Sequence, residues 1–121
     1  MFRPAVFLLC FLPAAASAQT LWQGDGARVE TVTYACASGM DDLTVAYFTA
    51  RDGSSFAAVH VAGVVHGMVQ EVSGSGLRYV DIDKETAYRI HTKGDRLVLS
   101  KQGPEGATAE ELLAECAVVK G

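Results

Sequence analysis

Short segments in which polar and apolar residues alternate, many of them β-branched, recur along most of this chain. Alternation with a period of two is typical of half-buried strands, and the Gly, Asp and Ser residues between the segments favour turns. Eight short strands at regular spacing predict an all-β sandwich or barrel. The predicted strands are Arg28–Cys36, Leu43–Thr49, Phe56–Val61, Val64–Val72, Leu77–Ile82, Tyr88–Thr92, Arg96–Leu99 and Glu115–Val119.

One segment has a helical signal. Thr108-Ala-Glu-Glu111 has the form of a capping box, in which a Thr side chain and a Glu three residues later satisfy free backbone amides. We predict a single helical turn there, while the sequence leaves open whether 105–115 is helix or strand.

The first 18 residues have the features of a signal peptide. Arg3 supplies a positive start, Ala5–Leu12 is apolar, and Ala16–Ala18 offers small residues before Gln19. We therefore predict a signal peptide at 1–18 and one mature domain at 19–121, in the periplasm or secreted. The apolar run is too short to span a bilayer, and Cys10 follows Leu9, where bacterial lipid attachment needs a small residue, so membrane anchoring is not expected.

Cleavage would leave two cysteines, Cys36 and Cys116, in a compartment where disulfides persist. They are predicted to be bonded and to join the first predicted strand to the last. A redox or metal site is not supported, because the chain has no CxxC spacing and no His cluster near these cysteines.

Charge and motifs exclude several classes of function. Ten Lys and Arg residues against 14 Asp and Glu residues give a net charge of −4, the wrong sign for a protein that binds nucleic acid. An acidic protein instead suits a basic partner. The Gly-rich run Ser73–Tyr79 lacks the lysine of a P-loop and the GxGxxG spacing of a dinucleotide site, so no cofactor is predicted.

Neither a metal site nor a catalytic triad is supported. His60 and His66 flank a predicted turn, but the nearby sequence supplies no third ligand. Ser75, His91 and Asp81 could form a hydrolase triad on paper, yet the chain has no GxSxG motif and no evident oxyanion loop.

Five signatures, taken in order, resemble those of the bacterial inhibitors of C-type lysozyme, a family with membrane-bound and periplasmic members. The likeness extends from Val29 to Val119. The signatures are Tyr34-Ala-Cys36 before Gly39, Val45-x-Tyr47, Ser73-Gly-Ser-Gly-Leu-Arg-Tyr79, Thr92-Lys-Gly-Asp95, and the cysteine near the C-terminus. The resemblance implies an antiparallel eight-stranded β-barrel closed by the Cys36–Cys116 disulfide, and a protein that inhibits an enzyme and catalyses nothing.

The resemblance also implies a binding site on two loops that enter the lysozyme cleft. Ser75 and Lys93 would meet the catalytic carboxylates there. A retaining glycosidase holds one ionised carboxylate and one carboxyl of raised pKa, which an ammonium and a hydroxyl can satisfy. The remaining residues implied at the partner site are Gly76, Arg78, Tyr79, Thr92 and Gly94, although Tyr79 is expected to pack rather than to contact the partner.

Two features depart from the family pattern. Ser75 and Lys93 are 18 positions apart, about four more than is typical, and the excess falls in Asp83–Tyr88; an even insertion keeps alternating strand positions on the same face. Ile90-His91 stands where the family usually has aromatic residues. We expect His91 to be an exposed hairpin residue rather than one that titrates in the interface.

A lipocalin-like carrier is the alternative function, because small closed barrels can hold an apolar ligand in the lumen. Eight short strands, however, predict a barrel that is filled by its own side chains.

Overall fold

The computed structural model describes residues 19–37, 39–103 and 110–119 of the 121-residue chain. Nine strands lie within these ranges, and each pairs antiparallel with its neighbours in sequence. The predicted signal peptide at 1–18 lies outside the described residues. The strands are β1 (Gln19–Gly24), β2 (Ala27–Cys36), β3 (Leu43–Thr49), β4 (Ser55–Val61), β5 (Val64–Glu71), β6 (Leu77–Asp81), β7 (Tyr88–Lys93), β8 (Arg96–Gln102) and β9 (Glu110–Val118).

Strands β2 to β9 form a closed ring, because β9 pairs with β2 as well as with β8. This arrangement confirms the predicted eight-stranded antiparallel barrel. Strand β1 lies outside the ring, on the edge of β2 that also carries β9. It pairs with the first half of β2, at 27–32, whereas β9 pairs with 34–36.

The eight predicted strands are all present, but two local expectations need correction. Strand β1 was not predicted, since most of it is exposed and its residues lack the one-sided burial that marks the other strands. The predicted helical turn at Thr108–Glu111 is wrong for its described part. Glu110 and Glu111 begin β9, where the ladder to β8 satisfies their backbone; Thr108 and Ala109 lie outside the described residues.

Alternate side chains of strands β2 to β9 point into the barrel and fill it. The residues with no more than 2% of their surface exposed are Leu43, Val45, Val59, Met68, Tyr79, Ile90, Leu97 and Leu99. Burial of this apolar set supplies the main driving force for folding. Among the described residues, no helix is long and apolar enough to cross a membrane.

The ring closes through a short seam. Only three residue pairs join β2 to β9, namely Tyr34–Val118, Ala35–Ala117 and Cys36–Cys116. The last pair is also a disulfide, with a Cα–Cα distance of 4.0 Å, so the predicted bond is confirmed. Next to it, the Ala37 amide donates a hydrogen bond to the Glu115 carbonyl. A covalent bond therefore reinforces the shortest ladder of the barrel.

The connection from β6 to β7 is built around one buried carboxylate, Asp81. Its Oδ1 accepts the Asp83 amide, and its Oδ2 accepts the Thr86 hydroxyl at 2.6 Å and the Tyr88 amide at 3.3 Å. His66 Nδ1 lies 3.1 Å from Oδ2. Burial by itself would raise the pKa of Asp81, but these hydrogen bonds and His66 outweigh it and hold the pKa below its usual value.

We expect the double substitution Cys36→Ser with Cys116→Ser to lower the free energy of unfolding by about 4 to 5 kcal/mol. The bond closes a loop of 80 residues, and its loss frees the unfolded chain. Urea unfolding of the oxidised wild type, the reduced wild type and the variant measures the effect. Equal midpoints for the three proteins would show that the three-pair seam closes the barrel without the bond.

Replacing Asp81 with Asn should lower the free energy of unfolding at pH 7 by about 3 kcal/mol, because buried donors lose a charged acceptor. The folded-state pKa of Asp81 is lowered, so its contribution is complete above the ordinary value of 3.8 and disappears as pH falls through the folded value. The difference between wild type and variant should therefore narrow below about pH 4.

The matched control is Asp83→Asn in the same connection, where the exposed Asp83 carboxylate accepts the Glu85 amide. Urea unfolding at pH 7 should show a loss of about 1 kcal/mol or less for this variant. Equal losses for the two variants would contradict a special role for Asp81.

Candidate functional site

The two loops singled out by the sequence lie at the same end of the barrel. The first joins β5 to β6 and contains Ser75, and the second joins β7 to β8 and follows Lys93. Strand β6 begins where β7 ends, since Leu77 pairs with Thr92. Ser75 is thus two residues before one member of this pair, and Lys93 is one residue after the other. Both side chains belong to exposed residues.

The extra residues between the loops lie at the opposite end. The connection from β6 to β7 spans 82–87 and is tied to Asp81. Between the two ends the β6–β7 pairing is continuous, from Leu77–Thr92 to Val80–Arg89. The longer connection therefore does not interrupt the strand pairing that places Ser75 and Lys93 at the same end.

Gly76 brings the first loop against β7. Its φ is +67°, and a Cβ added there would overlap the carbonyl oxygen of Thr92 and lie 3.2 Å from His91 Nε2. Only glycine combines this backbone conformation with so close an approach. Gly94 also has a positive φ, of +61°, but a Cβ there would meet nothing within 4 Å. The turn after Lys93 thus needs glycine for its conformation alone.

The carbonyl of Ser75 accepts two hydrogen bonds. One comes from the Ser73 hydroxyl at 2.8 Å, within the same loop, and the other from His91 Nε2 at 2.7 Å, on β7. The sequence reasoning missed the second contact and predicted an exposed hairpin histidine; the structure half-buries His91. The sequence does contain a signal for this contact. His91 is one residue before the Thr92-Lys-Gly motif, which the family resemblance places beside the glycine-rich loop.

The remaining predicted site residues are divided between the two faces of the sheet. Tyr79 points inward with 1% of its surface exposed, and its hydroxyl lies 2.7 Å from Ser55 Oγ. Thr92 is also buried. Arg78 is on the outer face, where its guanidinium lies 3.8 Å from both Glu71 and Glu110. Of the predicted site residues, those that are exposed at the rim are Ser75, Gly76, Lys93 and Gly94.

The mouth of the barrel at this end holds a cavity of about 290 Å³. Tyr34 and Tyr47 line it, and their hydroxyls are 2.8 Å apart. Burial raises the pKa of both phenols, and the nearby Glu30 carboxylate adds to the effect. The tyrosines therefore stay neutral and hold the wall by hydrogen bonding.

The arrangement can bind through one hydroxyl, in the β5–β6 connection, and one ammonium, at the adjacent end of β7. Within 19–37, 39–103 and 110–119, no group of three or more His, Cys, Asp or Glu side chains is placed to hold a metal ion. An ammonium and a hydroxyl at the rim of a small β-barrel are groups that can pair with carboxyl groups of another molecule.

Comparison with known proteins identifies the family. Residues 34–107 match the MliC family, described as membrane-bound lysozyme-inhibitor of c-type lysozyme, and this chain belongs to that family. The resemblance inferred from the sequence is thereby confirmed. A search of curated proteins found no match.

The fold is similar to that of a solved structure, PliC-St, the periplasmic lysozyme inhibitor of C-type lysozyme from Salmonella typhimurium. The TM-score is 0.62 at 21% sequence identity, over 75% of this chain and 98% of that chain. At this identity the likeness supports the barrel fold.

Gly76→Ala should destabilise the barrel more than Gly53→Ala does. Both glycines have a positive φ, but a Cβ at Gly53 meets nothing within 4 Å. Backbone strain alone predicts that Gly53→Ala lowers the free energy of unfolding by about 1 to 2 kcal/mol. Gly76→Ala should lower it further, because the new Cβ would also overlap the Thr92 carbonyl oxygen. Urea unfolding of both variants measures the difference, and equal losses would mean that the loop moves off β7 at no cost.

Proposed function

We propose that this protein inhibits a C-type lysozyme and has no catalytic activity of its own. The observation that carries the proposal is that Ser75, in the β5–β6 connection, and Lys93, the last residue of β7, lie at the same end of the barrel. Membership of a family described as lysozyme inhibitors supports the choice of target.

In the proposed complex, the rim enters the cleft of the lysozyme. The Lys93 ammonium pairs with the ionised catalytic carboxylate, and the Ser75 hydroxyl bonds to the second carboxyl, donating or accepting according to its protonation state. Gly76 and Gly94 keep the two loops narrow at the points of entry. The substrate is thus excluded from the residues that would cleave it.

The stiffness of the rim supports tight binding. The Ser75 loop is hydrogen-bonded to β7, and Lys93 is the last residue of that strand. Because the loops are already ordered, association costs less conformational entropy than it would for flexible loops. The net charge of −4 adds electrostatic attraction to a basic enzyme surface.

The periplasm is the proposed location, with the mature protein beginning at Gln19. The N-terminal sequence supports export, and PliC-St, which has a similar fold, is described as periplasmic. We propose that the protein acts there without a lipid anchor, because Leu9 precedes Cys10.

A lipocalin-like carrier has less support. Tyr79, Met68 and Ile90 lie inside the barrel with at most 2% of their surface exposed. The cavity at the mouth is lined by Glu30, Asp95 and other polar residues as well as by aromatic ones, which does not suit an apolar ligand.

Lysis of a peptidoglycan suspension by a C-type lysozyme tests the proposal. We expect wild-type protein to block lysis and Lys93→Ala to raise the inhibition constant by at least about 30-fold, because a buried charged contact is lost. Ser75→Ala should raise it by about fivefold, the effect of one neutral hydrogen bond.

The matched control is Lys84→Ala, which removes an exposed lysine from the connection at the opposite end and should inhibit as the wild type does. Full lysis with excess wild-type protein would remove the inhibitor proposal. Unchanged inhibition by both the Lys93 and the Ser75 variants would retain the inhibitor but remove the two-residue contact.

A further inference from the structure

The loop from Val72 to Gly76 has little support of its own. Val72 is 98% exposed, and among the described residues the Ser73 hydroxyl bonds within the loop, to Ser75. In the part of the chain that the structure describes, the contact from His91 Nε2 to the Ser75 carbonyl is the hydrogen bond that joins this loop to another strand.

We propose that His91 is a positioning residue for inhibition, which holds the Ser75 loop against β7. This inference rests on the proposed function. His91 and Lys93 are alternate residues of β7 and therefore point to the same outer face, about 7 Å apart. One strand thus carries both the cation and the anchor of the loop that bears the hydroxyl.

The Gly76 contacts support this role. The backbone of Gly76 lies against the Thr92 carbonyl, and a Cβ there would be 3.2 Å from His91 Nε2. The imidazole ring therefore packs where the loop turns toward β6. The His91–Ser75 hydrogen bond and the contact between the Gly76 backbone and the Thr92 carbonyl together hold the loop against the strand that ends in Lys93.

The chemistry of the contact specifies the state of the ring. A carbonyl oxygen only accepts, so His91 Nε2 must carry a hydrogen, as it does in the imidazolium and in one of the two neutral tautomers. Whenever the ring is neutral, the contact selects the Nε2–H tautomer. The directly opposed residues on the flanking strands are Arg78 on β6 and Val98 on β8, so neither neighbour competes as an acceptor for this hydrogen.

Substitutions at His91 separate the donor from the ring. His91→Ala removes both, and His91→Phe keeps a ring without a donor; both should raise the inhibition constant roughly tenfold through faster dissociation. His91→Gln should restore most of the inhibition, since its amide nitrogen can donate from nearly the same place. His60→Ala is the matched control, because His60 is exposed on β4.

Amide hydrogen exchange gives a readout that does not depend on lysozyme. In the Ala and Phe variants we expect faster exchange at 73–76, unchanged exchange elsewhere in the barrel, and protection recovered in the Gln variant. Nitrogen NMR of the wild-type ring should show the Nε2–H tautomer when His91 is neutral.

Each outcome decides the inference. Unchanged exchange at 73–76 in the Ala variant would overturn it, and so would faster exchange throughout the barrel, which would assign His91 to general stability. If wild-type protein fails to inhibit lysozyme, the proposed function fails, while the exchange result still decides whether His91 positions the loop.

Discussion

Closure of the ring between β2 and β9 is the constraint on which the rest of the molecule depends. Neighbouring strands elsewhere share four to seven residue pairs, but this seam has only three, one of which is the Cys36–Cys116 disulfide. In a closed ring each of the eight strands pairs with two neighbours, and the ring encloses the apolar side chains. The seam is short because β1 and β9 share one edge of β2, and β1 pairs with the first part of that edge.

Closure also divides the molecule into two ends with different tasks. At one end the Asp81 carboxylate organises the connection from β6 to β7, and at the other the Ser75 loop and the turn after Lys93 lie side by side. The β6–β7 pairing between the two ends is continuous, so the position of the rim residues depends on this pairing and not on the length of the connection at the Asp81 end. The extra residues at the Asp81 end therefore lie outside the paired segments of β6 and β7 that position the rim.

The sequence predicted what depends on local pattern and on compartment. Alternation located the eight barrel strands, and the cysteine count located the disulfide. The sequence did not predict β1, because exposed residues on both faces remove the alternation of polar and apolar residues. It also did not predict that β9 begins at Glu110, because a capping box describes only local hydrogen bonds and not the pairing with β8. The His91–Ser75 contact joins residues brought together by the pairing of β6 with β7, which spacing alone does not reveal.

The motif around Ser75 is one continuous stretch of sequence, but its residues have different structural roles. Ser75 and Gly76 form the loop, Arg78 joins ion pairs on the outer face, and Tyr79 closes the core against Ser55. Because strand residues alternate between the inner and outer faces, substitutions at neighbouring positions of the motif affect different properties, either the packing of the barrel or its outer surface. A loss of inhibition on replacing Tyr79 would reflect the packing of the barrel, whereas a loss on replacing the exposed Lys93 would reflect contact with the enzyme. Stability and inhibition must therefore be measured together before any residue of this motif is assigned to the interface.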